Sequence, residues 1–280
     1  MPELPGDFAV VVTAALIEDI GNGDVSAALI PADAQSTAQV ISREDAVLCG
    51  TAWFDEVFRQ LDAHTVVDWQ VRDGDVICAN QTLCRLTGNS RSLLSGERSA
   101  LNLLQTLSAT ATQTRQFVDA VSGTGAVILD TRKTLPGLRT AQKYAVTCGG
   151  GSNHRMGLFD AVLIKENHIL AAGSIAAAVA SARQQHAELT VEVEVENLDE
   201  VRQALDAGAD QLLLDNMALA TLGEAVMLNR EKNNGHARLE ASGGVNLERV
   251  RAIAETGVDF ISVGSITKDI RAVDLSMRFI

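Results

Sequence analysis

The sequence passes from a buried strand to a charged turn in one stretch, Ala126-Val127-Ile128-Leu129-Asp130-Thr131-Arg132-Lys133-Thr134-Leu135-Pro136-Gly137. The apolar run 126–129 predicts a buried strand, and Pro136-Gly137 predicts a turn after it. Arg132 and Lys133 therefore come just past the carboxyl end of the strand. Two adjacent cations favour an anionic ligand there, because an arginine fork fits carboxylate or phosphate. The alternative is a solvated loop with two surface cations.

Downstream of this stretch, strands and helices alternate. The strand candidates are residues 126–130, 160–165, 190–195, 210–215, 238–242 and 259–264. The helix candidates between them are residues 140–148, 174–186, 198–207, 218–229 and 247–255. Repeated βα units predict a parallel sheet, and six or more of them can close into a barrel.

The part of the chain upstream follows another pattern. Apolar residues on one stripe predict a helix over residues 8–20, and the pattern from 91 to 121 predicts one long or two consecutive helices. Strand-like stretches at 37–42, 47–49, 66–71 and 76–86 accompany a helix at 52–61. These features predict an antiparallel sheet with helices, in a layer separate from the barrel.

Composition limits the function. The net charge of the 280 residues is -13, which argues against nucleic acid or an anionic membrane as the main partner. The first residues lack the features of a signal peptide, and no apolar run is long enough to cross a bilayer. The four cysteines form no CxxC pair, which is typical of reduced, mostly buried thiols in a cytosolic protein. We therefore expect a cytoplasmic protein.

Charged or glycine-rich groups stand at the carboxyl end of every predicted barrel strand, where barrel enzymes carry their chemistry. In chain order these groups are Arg132 and Lys133, Lys165, Glu194, Asp215, Ser242-Gly243-Gly244 and Gly264-Ser265. Randomly distributed surface residues would not place such a group at the end of every strand. The set as a whole therefore predicts a functional site.

For the individual strand-end residues, more than one role is possible. Lys165 is a Schiff-base nucleophile, an anion ligand or a strand-end lysine that reaches solvent. Glu192, Glu194 and Glu196 alternate along one strand and are expected on one side of it. A metal ion or sugar hydroxyls would explain at least one of them, and salt bridges the others. Asp215 is a candidate for a metal or a diol, or an N-cap of the next helix.

The glycine loops at 242–244 and 264–265 can bring backbone N–H groups close to phosphate oxygens. A third glycine-rich loop, which could equally be a linker, leads to His154 and Arg155. One side of the site is thus cationic and suits a small molecule with more than one carboxylate. The other side is acidic and glycine-rich and suits a phosphorylated sugar with Mg²⁺.

The chain resembles the quinolinate phosphoribosyltransferase family over nearly its whole length. The resemblance rests on IEDIGNGD at 17–24, GERSALN at 96–102, DTRKTLPG at 130–137, NHR at 153–155, LIKENH at 163–168 and LDN at 214–216. Small departures are Leu135 where the family often has Thr, Glu166 where Asp is common, and SATAT at 108–112 where SGIAT is usual. None of them removes a charged residue of the site.

The resemblance implies an α/β fold, with an N-terminal open α/β sandwich at residues 1–108 and a TIM-like α/β barrel of fewer than eight strands at 109–267. The tail 268–280 would pack back on the first domain. The resemblance further implies a homodimer or hexamer in which Arg98 reaches the site of another subunit. It implies a decarboxylating glycosyltransferase of NAD biosynthesis that uses quinolinate and phosphoribosyl pyrophosphate (PRPP).

Carried over by resemblance, Arg132, His154, Arg155 and Lys165 bind the carboxylates of quinolinate, and Lys133 meets the phosphorylated sugar. Glu194 and Asp215 hold ribose hydroxyls and Mg²⁺-pyrophosphate, with the metal bound largely through substrate and water. The residues expected at the 5-phosphate are Ser242, Gly243, Gly244 and Gly264. Lys133, Lys165, Glu194 and Asp215 are the residues expected to be catalytic.

Three other functions remain open at this point. A Schiff-base aldolase on the same barrel would use Lys165 as its nucleophile. An anion-binding or scaffold protein would bind ligand without turnover, and it leaves Glu194 and Asp215 unexplained. A sister phosphoribosyltransferase would use another acceptor, although the full set of carboxylate-binding cations favours a dicarboxylate.

Overall fold

The computed structural model describes residues 2–233 and 235–280. The strands are β1 Gln35–Ser42, β2 Ala46–Val47, β3 Val66–Trp69, β4 Val76–Ile77, β5 Thr82–Asn89, β6 Val127–Leu129, β7 Val162–Ile164, β8 Val191–Val195, β9 Gln211–Asp215, β10 Arg238–Ser242, β11 Phe260–Ser262 and β12 Leu275–Phe279. The helices are α1 Phe8–Ile20, α2 Thr51–Leu61, α3 Ser90–Ala120, α4 Arg139–Cys148, α5 Glu166–Ala172, α6 Ile175–Gln185, α7 Leu198–Asp206, α8 Leu219–Asn233, α9 Val250–Glu255 and α10 Ser265–Lys268, with a 3-10 turn at Ala27–Leu29.

Two compact units make up the chain. The first contains the residues up to Arg115, Thr134–Gly150 and Ser265–Ile280, and the second contains Gln116–Lys133 and Gly151–Gly264. The domain boundary at 108/109 stays a prediction.

The first unit is built on an antiparallel sheet with the strand order β12-β1-β5-β3. Ala38 and Val40 of β1 are fully buried while their neighbours are partly exposed, as expected for a strand with one face in the core. The C-terminal strand β12 pairs with β1, and Phe279 lies opposite Ala38. The predicted antiparallel sheet is confirmed.

The stretch predicted as a single strand at 76–86 forms two strands instead. Between β4 and β5, Asn80 adopts a positive φ of 66°, a conformation that asparagine tolerates better than other side chains. Its N–H donates to the carbonyl of Ser42 at 2.7 Å. The turn at Asn80 therefore separates β4, which pairs with β2, from β5, which pairs with β1 and β3.

A buried polar cluster lies within the apolar core of the first unit. The carboxylate of Asp73 accepts hydrogen bonds from the N–H groups of Gly50 and Thr51 at 3.0 and 3.1 Å and from the hydroxyl of Tyr144 at 2.9 Å. The ring of Tyr144 packs on that of Trp53, with centroids 5.3 Å apart. Burial raises the pKa of the Tyr144 hydroxyl, and the nearby Asp73 charge adds to this effect, so the phenol stays a hydrogen-bond donor.

The second unit is a parallel sheet of six strands in the order β6-β11-β10-β9-β8-β7. Each of the six strands lies within a predicted range, so the prediction of an α/β barrel with fewer than eight strands is confirmed. The short helices α5 and α10 were not predicted, because seven and four residues are too few to show a helical period.

No helix in the described part of the chain combines the length and the apolar character that crossing a bilayer requires.

Candidate active site

Several predicted site residues of the second unit lie at or near the carboxyl ends of its parallel strands, whereas His154 and Arg155 lie in the loop before β7. Parallel strands share a carboxyl edge, so their ends are brought together by the register of the sheet. Asp215, the last residue of β9, lies opposite Ser242, the last residue of β10. On the neighbouring pair, Ile164 of β7 lies opposite Val193 of β8, so Lys165 and Glu194 come next to each other.

Lys165 and Glu194 form an ion pair at this edge. The Lys165 side chain is 43% exposed and that of Glu194 is 15% exposed, so both can still contact a ligand. The backbone N–H of Lys165 donates to Nδ1 of His168 at 3.0 Å, which holds the start of α5. A lysine held by a carboxylate at this edge is also placed to bind an anionic ligand.

Of the three alternating glutamates, Glu192 is buried, Glu194 is partly buried, and Glu196 is exposed just past the end of β8. Because alternate residues of a strand point to the same face, Glu192 and Glu194 lie on one face of β8, and both are at least partly buried there. Glu196 belongs to the turn before α7.

Asp215 is followed by a backbone turn that only a few residue types adopt. Asn216 has a φ of 53°, and its side-chain amide donates to the Asp215 carboxylate at 2.8 Å. Its backbone N–H donates to the carbonyl of Ser242 at 2.9 Å. Since α8 begins only at Leu219, Asp215 stands too far upstream to be the N-cap of that helix.

Gly243 is required by this turn. Its φ is +93°, and a Cβ at this position would lie 2.1 Å from the amide oxygen of Asn216. At Gly244, with a φ of +59°, the loop passes the guanidinium of Arg249, whose Nη1 is 3.4 Å from the Gly244 carbonyl. The glycine loop thus has a cation beside it that the sequence motifs did not indicate.

Lys133 extends along the glycine loop that follows β11. A Cβ on Gly264 would lie 3.2 Å from Cδ of Lys133 and 3.6 Å from the hydroxyl of Thr131. The backbone N–H of Lys133 donates to that same hydroxyl at 3.1 Å, which fixes the turn after β6. Lys133 and Gly264, which the resemblance assigns to the phosphorylated sugar, are therefore neighbours, and their roles stay predictions.

Arg132 and Arg155 are close enough for their charges to interact. The pKa of Arg155 is lowered, first by burial and then by the positive charge of Arg132, while Glu192 and Asp160 partly offset both effects. Two guanidinium groups that repel each other in a partly buried setting favour an anion between or beside them. This is the cationic side predicted for the dicarboxylate.

His154 is placed differently from the other predicted carboxylate ligands. Its Nε2 lies 3.0 Å from Glu192 and 3.3 Å from Glu240, both of which are buried. Burial lowers the pKa of His154, but hydrogen bonds and charge from these two carboxylates outweigh burial and raise the pKa to about 10. The backbone N–H of His154 donates to the Asp130 carboxylate at 3.0 Å, which fixes the loop to the end of β6.

Sequence reasoning missed Glu240 and Gln211, which complete the surroundings of His154. Gln211 donates from its amide to Glu192 at 2.9 Å and to Glu240 at 2.8 Å. The available signal was a charged residue inside an apolar strand, Arg-Leu-Glu-Ala-Ser at 238–242, which is unusual for a barrel interior. Nothing in the sequence indicated that Gln211 of β9 and Glu240 of β10 would come together next to His154.

Among the described residues, His154, Glu192 and Glu240 form one of two groups with metal-ligand spacing, and Cys49, Asp73 and Cys148 form the other. Glu194 and Asp215 belong to neither group. Their carboxylate oxygens at the strand edge suit Mg²⁺, which usually keeps several waters and needs only one or two protein carboxylates.

Arg98 lies on α3 in the first unit. Its side chain is 59% exposed, and its guanidinium is 3.6 Å from the carboxylate of the neighbouring Glu97. A weak, exposed pair of this kind leaves the guanidinium accessible to another ligand.

Known proteins resemble the chain in both sequence and structure. A "Probable nicotinate-nucleotide pyrophosphorylase [carboxylating]" of Synechocystis is 42% identical over 266 residues, covering 95% of this chain and 90% of that protein. A chloroplastic nicotinate-nucleotide pyrophosphorylase [carboxylating] of Arabidopsis thaliana is 40% identical over 289 residues, covering 97% of this chain and 82% of that protein. The solved structure of nicotinate-nucleotide pyrophosphorylase from Francisella tularensis has a TM-score of 0.93 and 47% identity, covering 99% of this chain and 98% of that chain.

Two family models match successive parts of the sequence. The model described as quinolinate phosphoribosyl transferase, N-terminal domain, matches residues 24–108, and the C-terminal domain model of the same family matches residues 110–278. With the barrel and its strand-end residues, these matches show that the chain belongs to the quinolinate phosphoribosyltransferase family.

Proposed function

We propose that the chain transfers the phosphoribosyl group of PRPP to the ring nitrogen of quinolinate and releases pyrophosphate and CO₂. The product is nicotinate mononucleotide, a precursor in de novo NAD biosynthesis, and the enzyme is a decarboxylating pentosyltransferase. The observation that carries the proposal is that a cation and acidic or glycine-rich groups share the second unit: Arg132 follows β6 and its charge acts on Arg155, while Asp215 ends β9 opposite Ser242 of β10. Membership of the family supports the same reaction.

The cationic side would bind quinolinate. Arg132 and Arg155 would take its carboxylates, and Lys165 would add a third cation when the substrate competes with Glu194 for its ammonium. A planar guanidinium binds a carboxylate through two parallel hydrogen bonds, which orients the pyridine ring as well as holding it. His154 would support this side.

The other side would bind PRPP. Glu194 and Asp215 would accept hydrogen bonds from the ribose hydroxyls, and Lys133 would neutralise phosphate charge. The 5-phosphate would lie on the backbone of the two glycine loops, at Ser242, Gly243, Gly244 and Gly264. The positive φ of Gly243, +93°, supports this assignment, because a glycine has no side chain of its own to keep a phosphate from its backbone.

Mg²⁺, when bound through Glu194, Asp215, water and the pyrophosphate, would neutralise the charge of the leaving group. The chain's own residues would orient the reacting atoms and stabilise the charge that develops at the anomeric carbon. Glu194 and Asp215 would stabilise an oxocarbenium-like state there, so no protein nucleophile is required. Once the ring nitrogen is quaternised it withdraws electrons, and the adjacent C–CO₂⁻ bond breaks to release CO₂. The electron pair of this bond stays on the ring carbon next to the positive nitrogen, and that carbon then takes up a proton from water.

The assembly and location belong to the same proposal. Arg98 would enter the site of another subunit of a homodimer or hexamer, and its exposure on α3 supports this role. A net charge of -13 supports small molecules rather than nucleic acid or membrane as partners. Four cysteines with free thiols support a reducing, cytoplasmic setting.

Product identification tests the reaction. The purified protein is incubated with PRPP, Mg²⁺ and one of three acceptors, quinolinate, nicotinate or nicotinamide, and the nucleotides are separated and weighed by mass spectrometry. Of the three acceptors, we expect only quinolinate to yield nicotinate mononucleotide. Nucleotide formed from nicotinate or nicotinamide, with none from quinolinate, would contradict the proposal and indicate a sister activity.

A further inference from the structure

Arg249 is a cation beside the glycine loop that follows β10. It stands where this loop enters α9, and its Nη1 donates to the carbonyl of Gly244 at 3.4 Å. In the described part of the chain, the exposed guanidinium of Arg249 forms no ion pair with a carboxylate, whereas that of Arg251 on the same helix pairs with Glu255. A guanidinium has five N–H donors, so the donors of Arg249 that do not face Gly244 can bind an anion.

The turn before α9 holds Arg249 against the glycine loop. The side-chain oxygen of Asn246 accepts the backbone N–H of Arg249 at 3.0 Å, and the backbone carbonyl of Asn246 accepts the N–H of Val250 at 2.9 Å. Val250 is fully buried, so the start of α9 is anchored in the second unit. The side chain of Arg249 runs back to Gly244, where a Cβ would lie 3.4 Å from its Nη1. The guanidinium therefore lies along the backbone of the loop.

The loop at 242–244 and the loop at Gly264 follow neighbouring strands. The two strands, β10 and β11, are adjacent and parallel, so both loops leave the sheet at the same edge. Lys133 extends along Gly264, with its Cδ 3.2 Å from the position that a Cβ on this glycine would take. The two glycine loops therefore each have a cation beside them, Lys133 at one loop and Arg249 at the other.

A phosphate monoester is well matched by two cations. It carries about two negative charges at neutral pH and has three strong acceptor oxygens. The backbone N–H groups of glycine loops can bind these oxygens, but they contribute only partial charges. A lysine adds a point charge, and an arginine adds a planar fork that can hold two oxygens at once. Lys133 and Arg249 together would balance the charge of the phosphate, which neither of them would do alone.

We propose that Arg249 is a further substrate-binding residue, which binds the 5-phosphate of PRPP from the loop after β10. None of the sequence stretches that carry the resemblance to the family includes position 249, so this role belongs to the structure alone. The inference rests on the proposed function, since PRPP is the phosphate monoester that the two glycine loops would bind. Arg249 contacts the phosphate and not the reacting carbon, so its contribution is to affinity and orientation.

The test compares steady-state kinetics of the wild type, Arg249→Ala, Arg249→Lys and Arg249→Gln. We expect the KM for PRPP to rise by on the order of tenfold in Arg249→Ala, as for the loss of a hydrogen bond to a charged group. The kcat and the KM for quinolinate should change much less, because the contact is made equally before and during the reaction. Lysine keeps the charge and should recover part of the affinity. Glutamine keeps an N–H donor for the Gly244 carbonyl but no charge, so it should behave like alanine.

Arg251→Ala is the matched control. Arg251 lies on the same helix, but its guanidinium pairs with Glu255 at 2.7 Å and donates to the carbonyl of Ser122 at 2.7 Å. Its loss should leave the KM for PRPP unchanged. If glutamine restores the KM as well as lysine does, or if the control loses as much affinity as Arg249→Ala, then Arg249 only holds the loop and the inference is overturned.

Calorimetric titration with ribose 5-phosphate gives a second readout that needs no turnover. The wild type should bind ribose 5-phosphate on the order of tenfold more tightly than Arg249→Ala. This difference should shrink as sodium chloride is added, because it arises from charge. Equal affinities in the two proteins would overturn the inference. A wild type that binds ribose 5-phosphate through Arg249 but turns over no quinolinate would overturn the proposed function alone, whereas turnover with an unchanged KM for PRPP in Arg249→Ala would overturn the inference alone.

Discussion

The Lys165 ammonium is paired with the Glu194 carboxylate across the ends of two neighbouring parallel strands. Each group compensates the charge of the other until substrates arrive. Quinolinate would then compete with Glu194 for the Lys165 ammonium. The Glu194 carboxylate would in turn stabilise the positive charge that develops on the sugar. The pair is thus a link between the two halves of the site.

Glu194→Gln should therefore impair the chemical step more than binding. Removing the charge that faces the anomeric carbon is expected to lower kcat by on the order of a hundredfold or more. The KM values should change by a few-fold at most. Steady-state kinetics with both substrates varied would measure the two effects separately.

Glu196→Gln is the control for this change, since Glu196 alternates with Glu194 in the sequence but is exposed beyond the end of β8. It should retain kcat within about twofold, as expected for a surface substitution. Equal losses in the two variants would contradict a specific role for Glu194.

Gly243→Ala should weaken PRPP binding. The added Cβ would meet the Asn216 amide oxygen at 2.1 Å, so the loop has to move away from the position proposed for the 5-phosphate. We expect the KM for PRPP to rise by on the order of tenfold or more, together with a loss of stability of about 1–2 kcal/mol from the positive φ.

Gly208→Ala separates these two effects. Gly208 also has a positive φ, +76°, but nothing lies within 4 Å of a Cβ built there. This variant should show the loss of stability by denaturant unfolding without the change in KM. If the KM for PRPP rises equally in both, the contact with Asn216 is not the cause.

Arg155→Ala should raise the KM for quinolinate by about 10–100-fold, which corresponds to the loss of one strong hydrogen bond to a charged group. The KM for PRPP should be nearly unchanged. Arg183→Ala is a suitable control, because Arg183 pairs with Asp210 at 2.6 Å near the start of β9, at the opposite end of that strand from Asp215. A similar KM in the two variants would argue against carboxylate binding by Arg155.

Tyr144→Phe tests the buried cluster of the first unit. The substitution keeps the ring on Trp53 but removes the donor to Asp73, so a buried carboxylate loses one of its three hydrogen bonds. We expect a loss of about 1–3 kcal/mol in the free energy of unfolding, measured with urea. An unchanged midpoint would mean that water replaces the hydroxyl at no cost.

The barrel was predictable because its strands are short apolar runs that end in charges or glycines. Residues 161–165, which end in Lys165, and 211–215, which end in Asp215, show this most clearly, and the βα rule then places their ends at one edge. Helix α5 was missed because it begins directly after Lys165 and has only seven residues. The break at Asn80 was missed because a strand-like pattern does not reveal a positive φ.

The site was predictable only in part for a similar reason. Strand-end residues such as Asp215 can be read from the sequence, since the topology alone brings them together. Contacts inside the barrel cannot, because Glu192 and Glu240 are 48 positions apart and meet only through the strand order β10-β9-β8. The environment of His154 therefore became visible only in the structure.

The most direct measurement is the stoichiometry of a single reaction with quinolinate labelled in the carboxylate next to the ring nitrogen. We predict one CO₂, one pyrophosphate and one nicotinate mononucleotide per turnover, all dependent on PRPP and Mg²⁺ and all lost to a similar degree in Arg132→Ala. Pyrophosphate and nucleotide released without CO₂, or CO₂ released without PRPP, would contradict the account.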